Sequence, residues 1–241
     1  MRVTPVVVFG LAGLIVLLGA LVQGCAGLGM NLIAAPLLAT LDPALVPVPL
    51  IVSSLLLSGL AMRREWSEVD WRGAGLAVLG RAPGTALGAL AVALLPEPAF
   101  SVAVGGFVLL CLAASLITWR PRPTPVALLA AGFTGGVTGT ASSIGGPPMA
   151  LLYQHETGPR IRATLAAYML FGGALSLLSL GIGGQIGVEQ LLASAVLLPF
   201  LAAGFALSGP LRRVLDAGWT RLAVLGLSGG SAVLLIVRGL V

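Results

Sequence analysis

The chain has 241 residues, of which 58% are hydrophobic and only 9% are charged, with a formal net charge of +5. Soluble domains carry about 25% charged residues, so this composition excludes an ordinary water-soluble globule. The basic residues lie in short loops without interleaved aromatic residues, which argues against nucleic-acid binding and follows the bias of arginine toward cytoplasmic loops.

Successive apolar runs are long enough to cross about 30 Å of hydrocarbon as helices. We predict six transmembrane helices, at residues 44–62, 73–95, 99–119, 161–182, 188–208 and 219–237. Two further apolar regions, 5–41 and 125–155, are interrupted near their middle by glycines and small polar residues. The predicted fold class is an all-α polytopic membrane protein, located in the cell (inner or plasma) membrane as a multi-pass protein.

The stretch LVQGCAGLGM at residues 21–30 has two interpretations. A cysteine behind an apolar run is typical of a lipoprotein cleavage site, but Gln23 is unfavourable there and no hydrophilic tether follows Cys25. A similar glycine and proline pattern recurs in the middle of the chain, where no signal peptide acts. We therefore interpret the stretch as a break in a helix that stays in the membrane.

The two interrupted regions resemble each other, which indicates an internal repeat. GCAGLGMNLIAAPLL and GVTGTASSIGGPPMA share glycines and a proline at an offset of 112, in the pairs Gly24 and Gly136, Gly27 and Gly139, and Pro36 and Pro148. At an offset of 116, Pro83 and Gly88 recur as Pro199 and Gly204. We predict a first repeat over residues 1–120 and a second over 121–241, a plan common among membrane transporters.

Four loops containing arginines set the predicted topology, because the positive-inside rule places all of them in the cytoplasm. They hold Arg63, Arg64 and Arg72; Arg120 and Arg122; Arg160 and Arg162; and Arg212, Arg213 and Arg221. Region 125–155 must then enter and leave on one side, as a hairpin with arms of about 13 and about 10 residues that meet near the bilayer centre.

By the repeat, region 5–41 is a second hairpin that enters from the opposite face. Each half is then a broken helix hairpin plus three transmembrane helices, the two repeats have inverted topology, and both termini lie outside. The alternative makes residues 5–23 a plain first crossing with Met1 in the cytoplasm, which Arg2 favours.

Helix breaks inside a membrane are tolerated where the freed backbone groups line a protein-walled or wet cavity. The start of each second arm presents amides and the positive end of a helix dipole, which suits an anion. The candidate substrate-binding residues at the breaks are Gln23, Gly27, Gly29 and Asn31 in the first hairpin, and Thr138, Gly139, Thr140, Ser142 and Ser143 in the second. Ser142 or Ser143 is also a candidate N-cap of the second arm. The alternative is that the hydroxyls only cap and pack the helices and that the glycines allow tight helix packing.

Arg81 is the one charged residue deep within an apolar span, about 13.5 Å along a helix from Arg72. A charge at that depth costs at least about 2.5 kcal/mol unless it is satisfied. Arg81 shares a helix face with Thr85 and Gly88, so we expect it to face a bound anion. Pairing with backbone carbonyls and extension toward the cytoplasmic interface are the alternatives.

Other reactive groups are sparse. The carboxylates lie in loops or at span ends, so none is placed for a proton relay at the membrane centre. A single histidine leaves too few ligands for a transition-metal site, and neither a metal nor a cofactor is expected. An intramembrane hydrolase with Ser142 or Ser143 as nucleophile and His155 as base is an alternative, although His155 lies about 18 Å from Ser143 along a helix.

GLGMNLIAAPLL and GTASSIGGPPMALL, each followed by apolar crossings, resemble the paired motifs of the TauE/SafE family of sulfite and organosulfonate exporters. The later segments PGTALGAL and PFLAAGFAL are also similar to that family's pattern, so the resemblance covers essentially the whole chain. It implies a membrane transporter, not an enzyme, that exports small sulfur-containing anions such as sulfite, thiosulfate, sulfoacetate or taurine. A passive anion channel is the alternative function.

The motifs also depart from the family's pattern, in which three consecutive glycines are common. Here Gly29 is followed by Met30 and Asn31, and the second motif spaces its glycines around Ser142 and Ser143. The particular substrate therefore stays open. The expected partners are a small anion and the lipid bilayer, with a homo-oligomer left open.

Overall fold

The computed structural model describes residues 5–94 and 122–211, together with isolated positions between 102 and 113 and between 226 and 237. The two continuous ranges are all-helical apart from short connections, and contain eight α-helices. They are α1 (Pro5–Ala26), α2 (Met30–Leu41), α3 (Val48–Arg64), α4 (Trp71–Leu94), α5 (Pro125–Ser142), α6 (Pro147–Tyr153), α7 (Gly158–Ile182) and α8 (Val188–Leu211). The predicted spans 99–119 and 219–237 lie almost wholly outside the described residues.

Four of these helices are long and apolar enough to cross a membrane. The qualifying segments are Val7–Ala26, Trp71–Ala91, Gly158–Ile182 and Val188–Leu211. Large apolar side chains such as Leu79, Leu90 and Leu192 remain exposed on them, as lipid-facing helices require. The helices α3, α4, α7 and α8 occupy the predicted spans 44–62, 73–95, 161–182 and 188–208 to within about a turn.

Both interrupted regions contain a break between two helices. In the first, Gly27 and Gly29 have φ angles of 87° and 130°, in the region that favours glycine because it has no Cβ. In the second, Ser143 follows the end of α5 with a left-handed φ of 65°. The interpretation of LVQGCAGLGM as a helix break therefore agrees with the structure.

The arms of the second hairpin differ from the predicted lengths. α5 has 18 residues and α6 has 7, so at 1.5 Å per residue they extend about 27 Å and about 10 Å. The prediction ended the first arm too early because it took the small residues from Gly136 onward as the interruption. These residues stay helical: a Cβ at Gly136 would lie 2.6 Å from the carbonyl oxygen of Arg81, so the glycine allows α5 to approach α4 closely.

α4 and α5 pack lengthwise in the same direction. Three glycines of α4 face successive backbone carbonyls of α5, in the pairs Gly80 and Leu129, Gly84 and Phe133, and Gly88 and Val137. Because both sets of residue numbers rise together, the two helices are parallel. Small residues at such a contact let backbones approach in a membrane, where packing contributes much of the association energy.

α1 and α8 form the corresponding contact in the other part of the molecule. Gly13 faces the ring of Phe200 and Gly24 faces Ser208, so these helices are also parallel. α8 ends beside the end of α3, where the guanidinium of Arg64 lies 4.1 Å from the ring centroid of Phe205.

α7 packs against both α3 and α4. It is antiparallel to α3, because Gly173 lies beside Ile51 and Arg162 pairs with Glu65. α7 is parallel to α4. The backbone N–H of Asp70 donates to Thr164 near the start of both helices, and Arg81 donates to Ser176 farther along both.

In the repeat predicted from the sequence, α1–α4 would correspond in order to α5–α8. The contact of α4 with α5 then matches that of α8 with α1, and the contact of α4 with α7 matches that of α8 with α3. α1 and α5 end 116 residues apart, at Ala26 and Ser142. The offset of 112 found for the first motif is therefore not the offset of the helix ends.

Candidate functional site

Arg81 lies in α4 with only 4% of its surface exposed. Its guanidinium carbon lies 4.9 Å from the ring centroid of Tyr168, and its Nη2 donates a long hydrogen bond of 3.4 Å to Ser176 Oγ. Nε and Nη1 are buried without a hydrogen-bond partner. Buried donors of a charged group are costly to leave unpaired, so these two atoms need an acceptor that the described residues do not supply.

The neighbours of Arg81 come from α4, α5, α7 and the loop after α5, and we call them the Arg81 cluster. Its members are Arg81, Thr85, Gly139, Thr140, Gly145, Tyr168, Gly172 and Ser176. The three glycines leave room for the guanidinium: a Cβ at Gly139 would lie 2.7 Å from Nη2, and one at Gly145 would lie 3.2 Å from Nη1. A Cβ at Gly172 would press against the Cδ of Arg81.

Hydroxyl groups supply the other polar atoms of the cluster. Thr140 Oγ1 and Ser176 Oγ lie 2.9 Å apart and share a hydrogen bond. The hydroxyls of Thr85 and Tyr168 are buried and have no partner. Ser176 also donates to the carbonyl of Gly172 at 3.1 Å, so the cluster presents two unpaired neutral donors, Thr85 and Tyr168, near one positive charge.

The three other hydroxyls predicted at the second break are bonded to the backbone. Thr138 donates to the carbonyl of Thr134, Ser142 to that of Thr138 and Ser143 to that of Pro47, at 2.8 to 3.1 Å. His155, the base of the hydrolase alternative, is exposed beyond the end of α6.

Neither Ser142 nor Ser143 caps α6. The N-cap position is Gly146, without a side-chain hydrogen bond, so that prediction was wrong. The physical reason is that α6 begins only at Pro147, and the hydroxyls of Ser142 and Ser143 are already bonded to the carbonyls of Thr138 and Pro47. Pro147 and Pro148 carry no amide hydrogen, so the first turn of α6 offers few free amides to an anion.

The first break is organised differently. The side-chain oxygen of Gln23 accepts a hydrogen bond of 3.3 Å from the backbone N–H of Met30, so Gln23 satisfies an amide at the start of α2. Gly27 faces Arg162 in the first turns of α7. Gly172 lies ten residues farther along α7, about 15 Å at helical rise, so Gly27 and the nearby Gly29 are not adjacent to Arg81.

The two breaks nevertheless contact each other. The side-chain amide of Asn31 donates a hydrogen bond of 2.7 Å to the carbonyl of Ser143. Two residues later, Gly145 borders the guanidinium of Arg81. Asn31 therefore holds the loop that forms one wall of the Arg81 cluster.

Five members of the cluster were not among the predicted site residues, namely Thr85, Gly145, Tyr168, Gly172 and Ser176. The last three were missed because α7 reads as an ordinary apolar span. Their spacing of four residues places them along one face of a helix. This line of polar and small residues along one face of an otherwise apolar helix is the sequence signal that could have identified them.

A separate polar network joins the starts of α4 and α7 to the end of α6. The carboxylate of Asp70 accepts hydrogen bonds from the N–H of Gly73 at 3.0 Å and the hydroxyl of Tyr153 at 2.8 Å, and lies 3.5 Å from Arg160. Partial burial raises the pKa of this carboxyl, but those hydrogen bonds and Arg160 outweigh it, so the pKa of Asp70 lies below its ordinary value of 3.8.

No group of three or more His, Cys, Asp or Glu side chains in the described ranges is arranged to hold a metal ion. Four of the described helices are long and apolar enough to cross a membrane, which is typical of helical membrane proteins. One of them carries the buried Arg81. A family profile described as "Sulfite exporter TauE/SafE" matches residues 11–235. The protein therefore belongs to the TauE/SafE sulfite exporter family, a family of membrane transporters, as its motifs predicted. Comparison with curated proteins and with solved structures finds no match.

Proposed function

We propose that the protein is a carrier that exports small sulfur-containing anions and binds them at the Arg81 cluster. The observation that carries the proposal is the buried guanidinium of Arg81, whose Nε and Nη1 lack partners within an exporter of the sulfite family. An oxyanion would accept these hydrogen bonds and neutralise the charge, and such charge-assisted bonds are about twice as strong as neutral ones.

The remaining predicted site residues take different parts in this proposal. Gly139 and Thr140 border the anion directly, and Asn31 and Ser143 position the loop beside it. Gln23, Gly27 and Gly29 shape the first break, and Thr138 and Ser142 close the end of α5. The anion thus lies beside one break, where the second hairpin meets α4 and α7, rather than midway between two helix N-termini.

The directions of the helices support the inverted repeat. α5 runs parallel to α4 and α7, whereas α1 runs parallel to α8, which ends beside α3, and α3 is antiparallel to α7. Corresponding helices of the two halves thus run in opposite directions. Inverted repeats let a transporter expose a central site to either face by moving one part against the other.

The burial of the Arg81 cluster favours a carrier over an open channel. Arg81 is 4% exposed and Tyr168 is fully buried, so the described residues shield the guanidinium from water in this conformation. With the potential negative inside, outward movement of one negative charge gains about 2.3 kcal/mol per 100 mV. Export would therefore proceed without a coupling ion.

Transport by purified protein in proteoliposomes tests the proposal. Sulfur-radiolabelled sulfite should enter faster when unlabelled sulfite is loaded inside, because only a carrier accelerates exchange. Arg81→Gln should abolish this flux while the protein remains folded. Arg72→Gln, which removes an exposed arginine near the start of the same helix, should retain it.

Undiminished flux through folded Arg81→Gln protein would refute the assignment of the site. Flux that persists but is not accelerated by unlabelled sulfite on the other side would favour the channel alternative.

A further inference from the structure

The Arg81 cluster carries one positive charge and no negative charge. Every other member is neutral, since they are glycines, hydroxyl residues and one tyrosine. Charged side chains in the eight described helices otherwise lie near a helix end, and the sequence contains none within 99–119 or 222–237. The cluster therefore compensates a single unit of negative charge.

Resting on the transport function proposed above, we propose that the cluster selects monoanions over dianions and that Tyr168 determines affinity as its second donor. The substrate class narrows to singly charged sulfur oxyanions such as hydrogensulfite and simple sulfonates. Sulfate, thiosulfate and sulfoacetate each carry two negative charges and are disfavoured.

The preference follows from how two energies scale with charge. Doubling the charge of the anion about doubles its attraction to Arg81, because Coulomb energy is linear in charge. The cost of removing the anion from water grows with the square of its charge, so it rises about fourfold. At a site from which water is excluded, a dianion leaves one charge without compensation, whereas a monoanion leaves none.

Tyr168 offers the anion a hydrogen-bond donor and carries no charge. Its ring lies 4.9 Å from the guanidinium carbon of Arg81, which keeps the two side chains together. Its hydroxyl is fully buried and has no partner, although buried hydroxyls are normally hydrogen-bonded. An oxygen of a bound monoanion would accept from this hydroxyl while its other oxygens accept from Arg81.

The same charge count disfavours taurine. Its sulfonate suits Arg81, but its ammonium group requires an acceptor or a carboxylate when water is removed. No member of the cluster carries a carboxylate, so a sulfonate without an ammonium group is the better ligand.

Thermal-shift titration of the purified full chain tests the selection by charge. Methanesulfonate carries one negative charge and sulfate carries two, and sodium chloride would hold the ionic strength constant. Because sulfate also stabilises proteins generally through exclusion from their surface, Arg81→Gln protein is titrated in parallel and only the Arg81-dependent, saturable shift is counted. We expect methanesulfonate to saturate at a concentration at least about tenfold below that of sulfate.

Two tyrosine variants test the role of the hydroxyl. Tyr168→Phe keeps the ring under Arg81 and should weaken methanesulfonate binding by about tenfold. Tyr153→Phe is the matched control, because the buried hydroxyl of Tyr153 bonds to Asp70 and not to the cluster. The affinity of this variant for methanesulfonate should be unchanged. Equal affinity in folded Tyr168→Phe and wild-type protein would overturn the role of Tyr168.

The outcomes separate this inference from the proposed function. Arg81-dependent binding of sulfate or thiosulfate that equals or exceeds that of methanesulfonate would overturn the selection by charge and leave the transport function standing. Absence of Arg81-dependent binding of any sulfur anion would remove both.

Discussion

Arg81 is held in place largely by neighbours without side chains. Gly139, Gly145 and Gly172 let the guanidinium lie against the main chain, and Tyr168 covers one of its faces. A buried arginine is ordinarily paired with a carboxylate, because an uncompensated buried charge destabilises a protein by several kcal/mol. Here the partner is absent from the cluster, which is the condition for an anion to serve as that partner.

Gly172 gives the sharpest test of this packing. In Gly172→Ala the new methyl group would press against the Cδ of Arg81 and displace the guanidinium from Ser176. Overpacking of this kind costs about 1–3 kcal/mol, so we expect sulfite binding to weaken by about tenfold or more. The affinity is measured by thermal-shift titration, with Arg81→Gln as the reference for complete loss.

Gly181→Ala provides the matched control on the same helix. A Cβ at Gly181 would meet only the Ile186 side chain at 3.6 Å, an ordinary contact, so affinity and melting temperature should stay near those of wild type. If Gly172→Ala bound sulfite as tightly as Gly181→Ala, the position of the guanidinium would not govern binding.

The sequence identifies the members of the site that carry an intrinsic signal. Arg81 is evident from its depth in an apolar span, and Gly139 and Thr140 are evident from the interrupted composition around them. Tyr168 and Ser176 are less evident because their role arises from contact between α7 and α4, and a helix pairing leaves little trace in either segment alone. Asn31 was predicted from its position at the first break, but its partner, the backbone carbonyl of Ser143, was not predictable for the same reason.

At the scale of helices, composition places each break to within a few residues but not its edges. Glycine serves two purposes in this chain, since Gly27 permits a backbone angle that other residues avoid, whereas Gly136 permits close approach of two helices. A sequence does not distinguish these uses. This is why the interruption was predicted to begin near Gly136 although α5 continues to Ser142.

The network around Asp70 joins three helices and gives their packing a pH dependence. The pKa of Asp70 is lower in the folded protein than its ordinary value of 3.8, so the unfolded chain binds the proton more tightly. The stabilisation is complete at neutral pH, begins to decline as the pH approaches 3.8, and is lost once the pH falls below the lowered pKa. Since the carboxylate is partly exposed and screened by solvent, we expect it to contribute less than about 1 kcal/mol.

Thermal unfolding of wild type and Asp70→Asn in detergent, compared across acidic pH, measures this contribution. The variant should melt at a lower temperature at neutral pH, and the difference should disappear in acid. A difference that is constant from neutral to acidic pH would show that the charge of Asp70 is not its cause. Glu68→Gln, an exposed carboxylate in the same turn, is the control and should show no difference at either pH.

At the scale of the whole molecule, the arginine-rich loops and the odd number of crossings per half predict opposite orientations for the two proposed repeats. The packing adds relations that a single sequence does not contain, namely that α4 lies along α5 and α8 along α1. The first helix of each interrupted region therefore packs against a long helix from the other half of the chain. In the pair of α4 and α5, this arrangement brings Arg81 close to the break after α5.

The direction of α1 follows from these contacts and predicts the location of the N-terminus. α1 is parallel to α8, and α8 ends beside Arg64 at the end of α3, in the region that the positive-inside rule assigns to the cytoplasm. α1 has 22 residues and extends about 33 Å, enough to cross the hydrocarbon core. Its start should therefore lie on the outside, which is contrary to the alternative with Met1 in the cytoplasm.

Cysteine labelling in intact cells measures this orientation. In a background of Cys25→Ser and Cys111→Ser, Arg2→Cys should react with a membrane-impermeant maleimide, whereas Ser67→Cys, in the exposed turn between α3 and α4, should react only after permeabilisation. The double substitution without a new cysteine sets the background. If Arg2→Cys and Ser67→Cys both required permeabilisation, α1 would enter from the cytoplasm, and the parallel packing of α1 with α8 would be incompatible with the positive-inside topology.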